Sequence, residues 1–444
     1  MTVGATAIQV VRQRSVNPLP FIKAVLIAGA IGLLILLALP WGRELIVEAG
    51  RNILQRDMES DYLTGVGWAL FLGGTLLLWP VSDEERRVLF WLWLAKIEMM
   101  LGFMLLYEWN YGLDAYGYWL EGGQHLVGLS DMTFGDGTKL LFLLSRLQWD
   151  YLLGSSYHAS KITFGYVGLA GTLIYYRAAC AFLRKADIRI LWLLGLVPSA
   201  LQWSSILGKD PVAYATISLY AWGVVRLYRR PTTWSVAAIA CGVLGAAEIR
   251  PWMAAILLAP LAVFGLVSIR GVLSRVVVTT LAVAAFVGAL SIFSDALHIQ
   301  SVDDVVEKTQ EQSRGFDAGG SANQSSLEHE NSVQKMILFA PLGVVSALFR
   351  PLPGEIPNVF GFLASLENVA MIWLTVTAFR RSRLRDLADP VLLWAIALVL
   401  AWSLVYGFIC YSNAGTGVRY RFQIFPILLG AVLYLGRRRT VAVR

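Results

Sequence analysis

The residues best suited to chemistry in this chain are charges set at the ends of apolar runs. Asp114 stands in the stretch 107–121, among Tyr107, Trp109, Tyr111, Tyr116, Tyr118 and Trp119. Aromatics of this kind favour a membrane–water interface, where the ring is half dry and the polar tip is wet. A carboxylate at that depth meets a lipid-borne substrate from the bilayer and a soluble one from water. It can also accept a proton from an attacking hydroxyl. Tyr116 and Tyr118 flank it as substrate contacts. The plainer alternative is an interfacial anchor that holds one solvated Asp.

A second set lies at joins between apolar runs. It comprises Lys209 and Asp210, Glu248 and Arg250, Arg350 before Pro351, and Arg419 and Arg421 after the flexible turn 413–417. Charges at membrane depth are expensive unless paired or facing water, so each is a candidate site residue. The local alternative pairs Lys209 with Asp210 and Arg250 with Glu248. Against it stands the number of cations. Lys209, Arg250, Arg350, Arg419 and Arg421 together suit a phosphate, which Arg grips with two N–H groups and Lys meets as a point charge. The turn 413–417 adds backbone N–H donors for the same anion.

Other candidates are weaker. Asp57, Glu59 and Asp61 offer oxygen ligands for a divalent cation, the one cofactor in view, although outer loops are commonly acidic. Lys96 and Glu98 fall inside an apolar run and take structural roles. His125, His158, His298 and His329 are too dispersed for a metal site. Cys180, Cys241 and Cys410 match neither a disulfide framework nor a ligand spacing. No metal ligand is assigned.

The elements that position these residues are membrane helices. Of 444 residues 57% are hydrophobic and 15% charged, with a mean hydropathy of +0.61. That is far from a soluble composition. Apolar runs of about 20 residues recur along the chain, the length that crosses a bilayer. The expected fold is all-α: a polytopic membrane protein of about 12 helices, near 21–40, 64–81, 88–107, 162–183, 188–207, 211–228, 233–249, 251–269, 275–294, 358–379, 390–410 and 422–436. The run 336–348 is shorter than a span and is expected to be re-entrant or interfacial, ending at Arg350 and Pro351. Its alternative is a thirteenth span. Amphipathic pieces near 114–127 and 137–153 are expected to lie along the surface. The first apolar run follows a polar, basic segment without a small-residue cleavage site, so it is expected to be retained.

Charge orients the bundle. With both termini in the cytoplasm, 22 of the 37 Lys and Arg lie inside, as the positive-inside rule requires. The net charge of +7 therefore implies no nucleic acid. Residues 1–436 form one transmembrane domain, and 437–444 a basic cytoplasmic tail. The outer segments 41–63, 108–161 and 295–357 form the active-site face. The Gly/Ser-rich part of 295–334 is expected to be a lid over a ligand. No repeat is found at a fixed period, which weakens a transporter built from duplicated halves.

The order of motifs is familiar. Asp114, Tyr116 and Tyr118 come first, then Pro198, Ser199, Trp203, Ser204, Ser205, Lys209 and Asp210. Arg250, Pro251 and Trp252 follow, then Arg350 and Pro351, then Arg419, Tyr420 and Arg421. Over roughly residues 100–436 this resembles bacterial membrane proteins of exopolysaccharide and O-antigen gene clusters, which look like the GT-C superfamily of glycosyltransferases. The resemblance implies a sugar donor on undecaprenyl phosphate, a glycan or lipid-linked acceptor, and an active site on the outer face of the inner membrane. It gives Asp114 the role of base or acceptor-orienting acid. Asp114 lies after two additional helices, however, and Asp57, Glu59 or Asp61 is the alternative counterpart. Polysaccharide polymerase or ligase activity uses the same chemistry. A transporter or flippase of lipid-linked sugars, and an assembly subunit without chemistry, are the competing classes.

Overall fold

The computed structural model describes residues 57–110, 114–268, 333–356 and 359–437, with scattered residues between 271 and 304. Every element among the described residues is helical. The expected span at 21–40 and the lid region lie outside them, and the span at 275–294 largely so.

Helix starts follow capping chemistry. Asp57 accepts from the Ser60 N–H and opens α1 (Met58–Thr75). Ser82 and Glu85 form a reciprocal capping box at the start of α2 (Asp83–Glu98), satisfying two amides that the helix cannot. A π turn at Met99–Phe103 carries α2 into α3 (Met104–Asn110). Then come two short helices, α4 (Asp114–Gly123) and α5 (Gly137–Gln148). The long helix α6 (Tyr157–Leu183) starts at a Ser156 cap.

The expected span 188–207 is broken in two. Asp187 caps α7 (Ile188–Leu196), Val197 is extended, and Pro198 opens α8 (Pro198–Trp203). Proline lacks the N–H that would continue the ladder, and its preceding residue avoids the helical region. A long helix α9 (Lys209–Arg229) and the pair α10 (Thr233–Ile249) and α11 (Trp252–Ser268) follow. Then come α12 (Val333–Phe349), α13 (Val359–Arg381) and α14 (Pro390–Ile409). The described part closes with α15 (Ala414–Arg421) and α16 (Phe425–Leu435), which bend by 76° at the break between them.

Among the described residues five helices are long and apolar enough to cross a membrane: Met58–Leu78, Asp83–Glu108, Tyr157–Leu183, Gly361–Arg381 and Pro390–Ile409. The bent pair α15 and α16 makes a sixth if it is one broken span. The 336–348 run belongs to a helix of 17 residues rather than about 13, and it packs along α14. There a Cβ at Gly407 would lie 2.6 Å from Gly343 backbone atoms, so only glycine permits this approach.

The core between the helices is aromatic. Trp394 Nε1 donates to the Tyr220 hydroxyl at 2.9 Å, and that hydroxyl donates to Leu257 O at 2.7 Å. Trp252 Nε1 donates to the Tyr406 hydroxyl at 3.0 Å. The outward faces of α12 and α13 are apolar: Leu338 is 82% and Phe379 85% exposed. Such faces require a non-aqueous surround.

The bundle has two chemically distinct ends. One gathers the start of α1, the short helices α4 and α5, and the joins before α9, α11 and α15, through contacts such as Ser156 to Asp61 and Arg419 to Asp210. The other gathers Arg177 with Glu85 and Arg437 with Asp386.

Candidate functional site

The centre of the first end is Asp210, the second residue of α9 and fully buried. Both of its oxygens are engaged. Oδ1 accepts from Arg250 Nη2 at 3.1 Å and from Gln423 Nε2 at 3.2 Å. Oδ2 accepts from Arg419 Nε at 2.7 Å. A buried carboxylate is tolerable only when paired and hydrogen-bonded, and here two cations and an amide meet that need. Arg250 lies on the Tyr420 ring with 4.4 Å to its centroid, and Arg419 on the Trp203 ring at 5.4 Å. The rings fix the two guanidinium planes while adding attraction of their own.

Arg419 continues the chain of contacts outward. Its Nη1 and Nη2 each lie 3.4 Å from Asp114 Oδ2. The Asp114 side chain is 61% exposed, so its remaining oxygen faces solvent. Tyr118 stands within electrostatic reach of Asp114, Arg419, Asp210 and Arg250. Burial pushes its phenol up from the usual range; the two carboxylates push the same way and the arginines oppose them. Lys209 Nζ donates to Thr138 Oγ1 at 2.7 Å and lies within reach of the charges of Arg250, Asp136, Asp210 and Asp114. Arg250 Nη1 is buried and makes no hydrogen bond among the described residues.

The start of α5 clamps this group from outside. Asp136 accepts from the Thr138 and Lys139 N–H groups, each at 3.2 Å, and so caps α5. Gly135, at φ +89°, donates its N–H to Glu248 Oε2 at 3.1 Å. Gly137 lies against the backbone of Ile249: a Cβ there would be 2.3 Å from the Ile249 carbonyl oxygen. Thus the start of α5 is locked to the join that carries Arg250.

Asp114, Tyr118, Lys209, Asp210, Arg250 and Arg419 therefore come together. The local pairs do not form the site: Asp210 takes Arg250 and Arg419, and Glu248 takes the Gly135 amide. Two expected cations stand elsewhere. Arg350 pairs with Glu355, Nε to Oε1 at 2.8 Å, and lies over the Tyr411 ring. Arg421 is buried, donating to Leu348 O at 2.6 Å and to Asn368 Oδ1, with Glu367 at 3.9 Å. It joins α12 and α13 to α15. Tyr116 packs on Trp119 and Tyr157.

Asp57 caps α1, while Asp61 turns inward, its Oδ1 accepting from Ser156 Oγ at 2.5 Å and from the His158 N–H at 3.2 Å. Among the described residues no group of three or more His, Cys, Asp or Glu is placed to hold a metal. Lys96 donates to Ser204 O, Ser204 Oγ and Ser205 Oγ, between 2.6 and 3.1 Å, and so fastens the end of α8.

Sequence reasoning passed over Gly135, Asp136, Gly137, Thr138 and Gln423, and it quoted Trp203 only as part of a motif, with no role beside Arg419. The first four had a signal. An Asp between glycines just before an apolar helix is a capping signature. Gln423 carried none. The chain, compared with protein-family models, curated proteins and solved structures, matched nothing.

Proposed function

We propose that this protein is a glycosyltransferase of a bacterial inner membrane, acting at the Asp114 end of the bundle on a sugar carried by a polyprenyl phosphate. The observation that carries this reading is the position of Arg419. It is shared between Asp210, wholly buried, and Asp114, open to solvent. An exposed carboxylate is thereby tied to a rigid cationic base.

The chemistry assigns each group a task. An acceptor hydroxyl, from a growing glycan or a lipid-linked acceptor, gives its proton to Asp114 as its oxygen attacks the anomeric carbon. The bond from that carbon to the phosphate oxygen breaks, and the electron pair leaves with the polyprenyl phosphate. Lys209, the outward Nη atoms of Arg419 and the unpartnered Nη1 of Arg250 offset the charge that develops there. Asp210 and Gln423 do not touch substrate in this scheme; they aim the arginines. Tyr118, held neutral, donates its hydroxyl to the sugar or the phosphate. The same groups serve a polymerase or a ligase, depending on the acceptor.

The test is transfer itself. Purified protein in nanodiscs should move sugar from a polyprenyl-phosphate donor to a glycan or lipid acceptor. Movement of the intact lipid-linked sugar across the bilayer, with no sugar transferred, would replace this reading with a transporter.

A further inference from the structure

The end of the bundle away from Asp210 holds an apolar slot. It has a volume of about 260 Å³ and lies between α6, α7, α9, α14 and α16. Its walls include Tyr175, Phe182, Leu194 and Trp394. Leu183, Leu193 and Leu433 line it and are 46%, 44% and 43% exposed, so the slot opens sideways onto the apolar surround.

Its end is cationic. Arg437 lines the slot, with its guanidinium 3.6 Å from the Tyr434 ring centroid. Asp386 meets part of that charge, at 3.2 Å. Arg229 Nη2 donates to the carbonyl of Phe182, a wall residue, at 2.7 Å. Arg381 Nη1 donates to Gly436 O at 3.0 Å. These last two contacts are to neutral carbonyls, and among the described residues neither arginine forms an ion pair. Arg184 follows directly on Leu183 and caps α6.

We propose that this slot binds an anionic phospholipid, with one acyl chain between the helices and the phosphate on Arg437, Arg229 and Arg381. A hydrocarbon slot alone would accept any bilayer lipid. A slot lined at its end by Arg437, with Arg229 bonded to the wall residue Phe182 and Arg381 to Gly436 beside Arg437, selects a negative headgroup, the usual logic of basic pockets between membrane helices. The positive-inside rule puts this end in the cytoplasmic leaflet. The occupant would also brace the distant site. Tyr175, a wall residue, donates to Gln423 O at 2.5 Å, and the Gln423 side chain holds Asp210.

Native mass spectrometry of the full chain in detergent tests this without any transfer assay. The protein is loaded with phosphatidylglycerol or phosphatidylcholine at equal concentration. Retention of phosphatidylglycerol is expected to exceed that of phosphatidylcholine by about tenfold, one decade of affinity. Gly430→Phe should abolish the difference by filling the slot, since a Cβ at Gly430 meets no atom within 4 Å. Arg437→Gln should abolish it by removing the cation, and decides alone if the Phe variant does not fold. Equal retention of the two lipids would overturn the proposal. So would a preference that survives the variants that fold, or retention of a polyprenyl phosphate that those same variants abolish.

Discussion

Arg419 and Asp210 meet across 209 residues of chain, with Nε 2.7 Å from Oδ2. The contact joins the bent final helices to the start of α9. Because Asp210 also holds Arg250 and Gln423, one buried carboxylate sets the geometry of the whole cationic group.

Asp210→Asn should therefore destabilise the protein strongly. It keeps the shape but leaves the buried Arg250 without its counter-charge and Arg419 with only the exposed Asp114, a loss of about 3–5 kcal/mol for a broken buried pair. Asp187→Asn, at the surface ion pair with Arg189, should change little. Thermal melting in one detergent compares the two. Equal small shifts would mean that the Asp210 network does not hold the fold.

Gly137→Ala should act on the site without touching a charge. The new methyl would sit 2.3 Å from the Ile249 carbonyl, and α5 must shift outward. Overpacking of this kind costs about 1–3 kcal/mol. The Lys209 to Thr138 contact goes with it, and transfer should fall about tenfold or more. Gly117→Ala is the control, because a Cβ there meets nothing within 4 Å. Wild-type activity in the Gly137 variant would detach the α5 clamp from function.

Tyr118 fixes a sign for the pH dependence. Its phenol is raised above the ordinary tyrosine range by burial first and by the carboxylates second. The folded state thus keeps a proton that the unfolded chain releases near pH 10. The linked stability is complete below that pH and is lost as pH rises toward the folded value. Between about pH 6 and pH 9 the group stays protonated and gives the rate profile no limb. Tyr118→Phe should lower the rate without reshaping the profile there. A limb that vanishes in the Phe variant would show a titrating phenol instead.

Topology is open to direct labelling. Leu129 and Arg383 are exposed and sit at opposite ends of the bundle. In a background without Cys180, Cys241 and Cys410, Leu129→Cys should react with an impermeant maleimide from outside intact cells. Arg383→Cys should react only after lysis. Labelling of both from one side contradicts the assigned orientation.

Much of this was legible in the chain. Charges between apolar runs marked Lys209, Asp210, Arg250 and Arg419, because membrane depth makes such residues rare. Their partners were not legible. Successive helical residues point about 100° apart, so neighbours in sequence need not be neighbours in space. Arg419 and Arg421 illustrate this: two residues apart on α15, they point to nearly opposite sides. One reaches Asp210 and the other Asn368. The α7 to α8 break was visible only as a proline in an apolar run. Its extended Val197 depends on packing that the sequence does not spell out. The clamp at Gly135–Gly137 was hidden because turn residues announce a cap but not what the cap rests on.

The most direct measurement is sugar transfer by Asp114→Asn in nanodiscs, read beside donor binding. Asn keeps the side-chain shape and the place beside Arg419 but cannot take the acceptor proton. Transfer should fall by about 10²–10⁴-fold, the usual contribution of a positioned base. Donor binding should remain. Arg419→Ala should weaken both, since Arg419 serves the phosphate and anchors the acid. If Asp114→Asn retains most of its transfer activity while Arg419→Ala loses it, Asp114 is not the base and the account of this site is wrong.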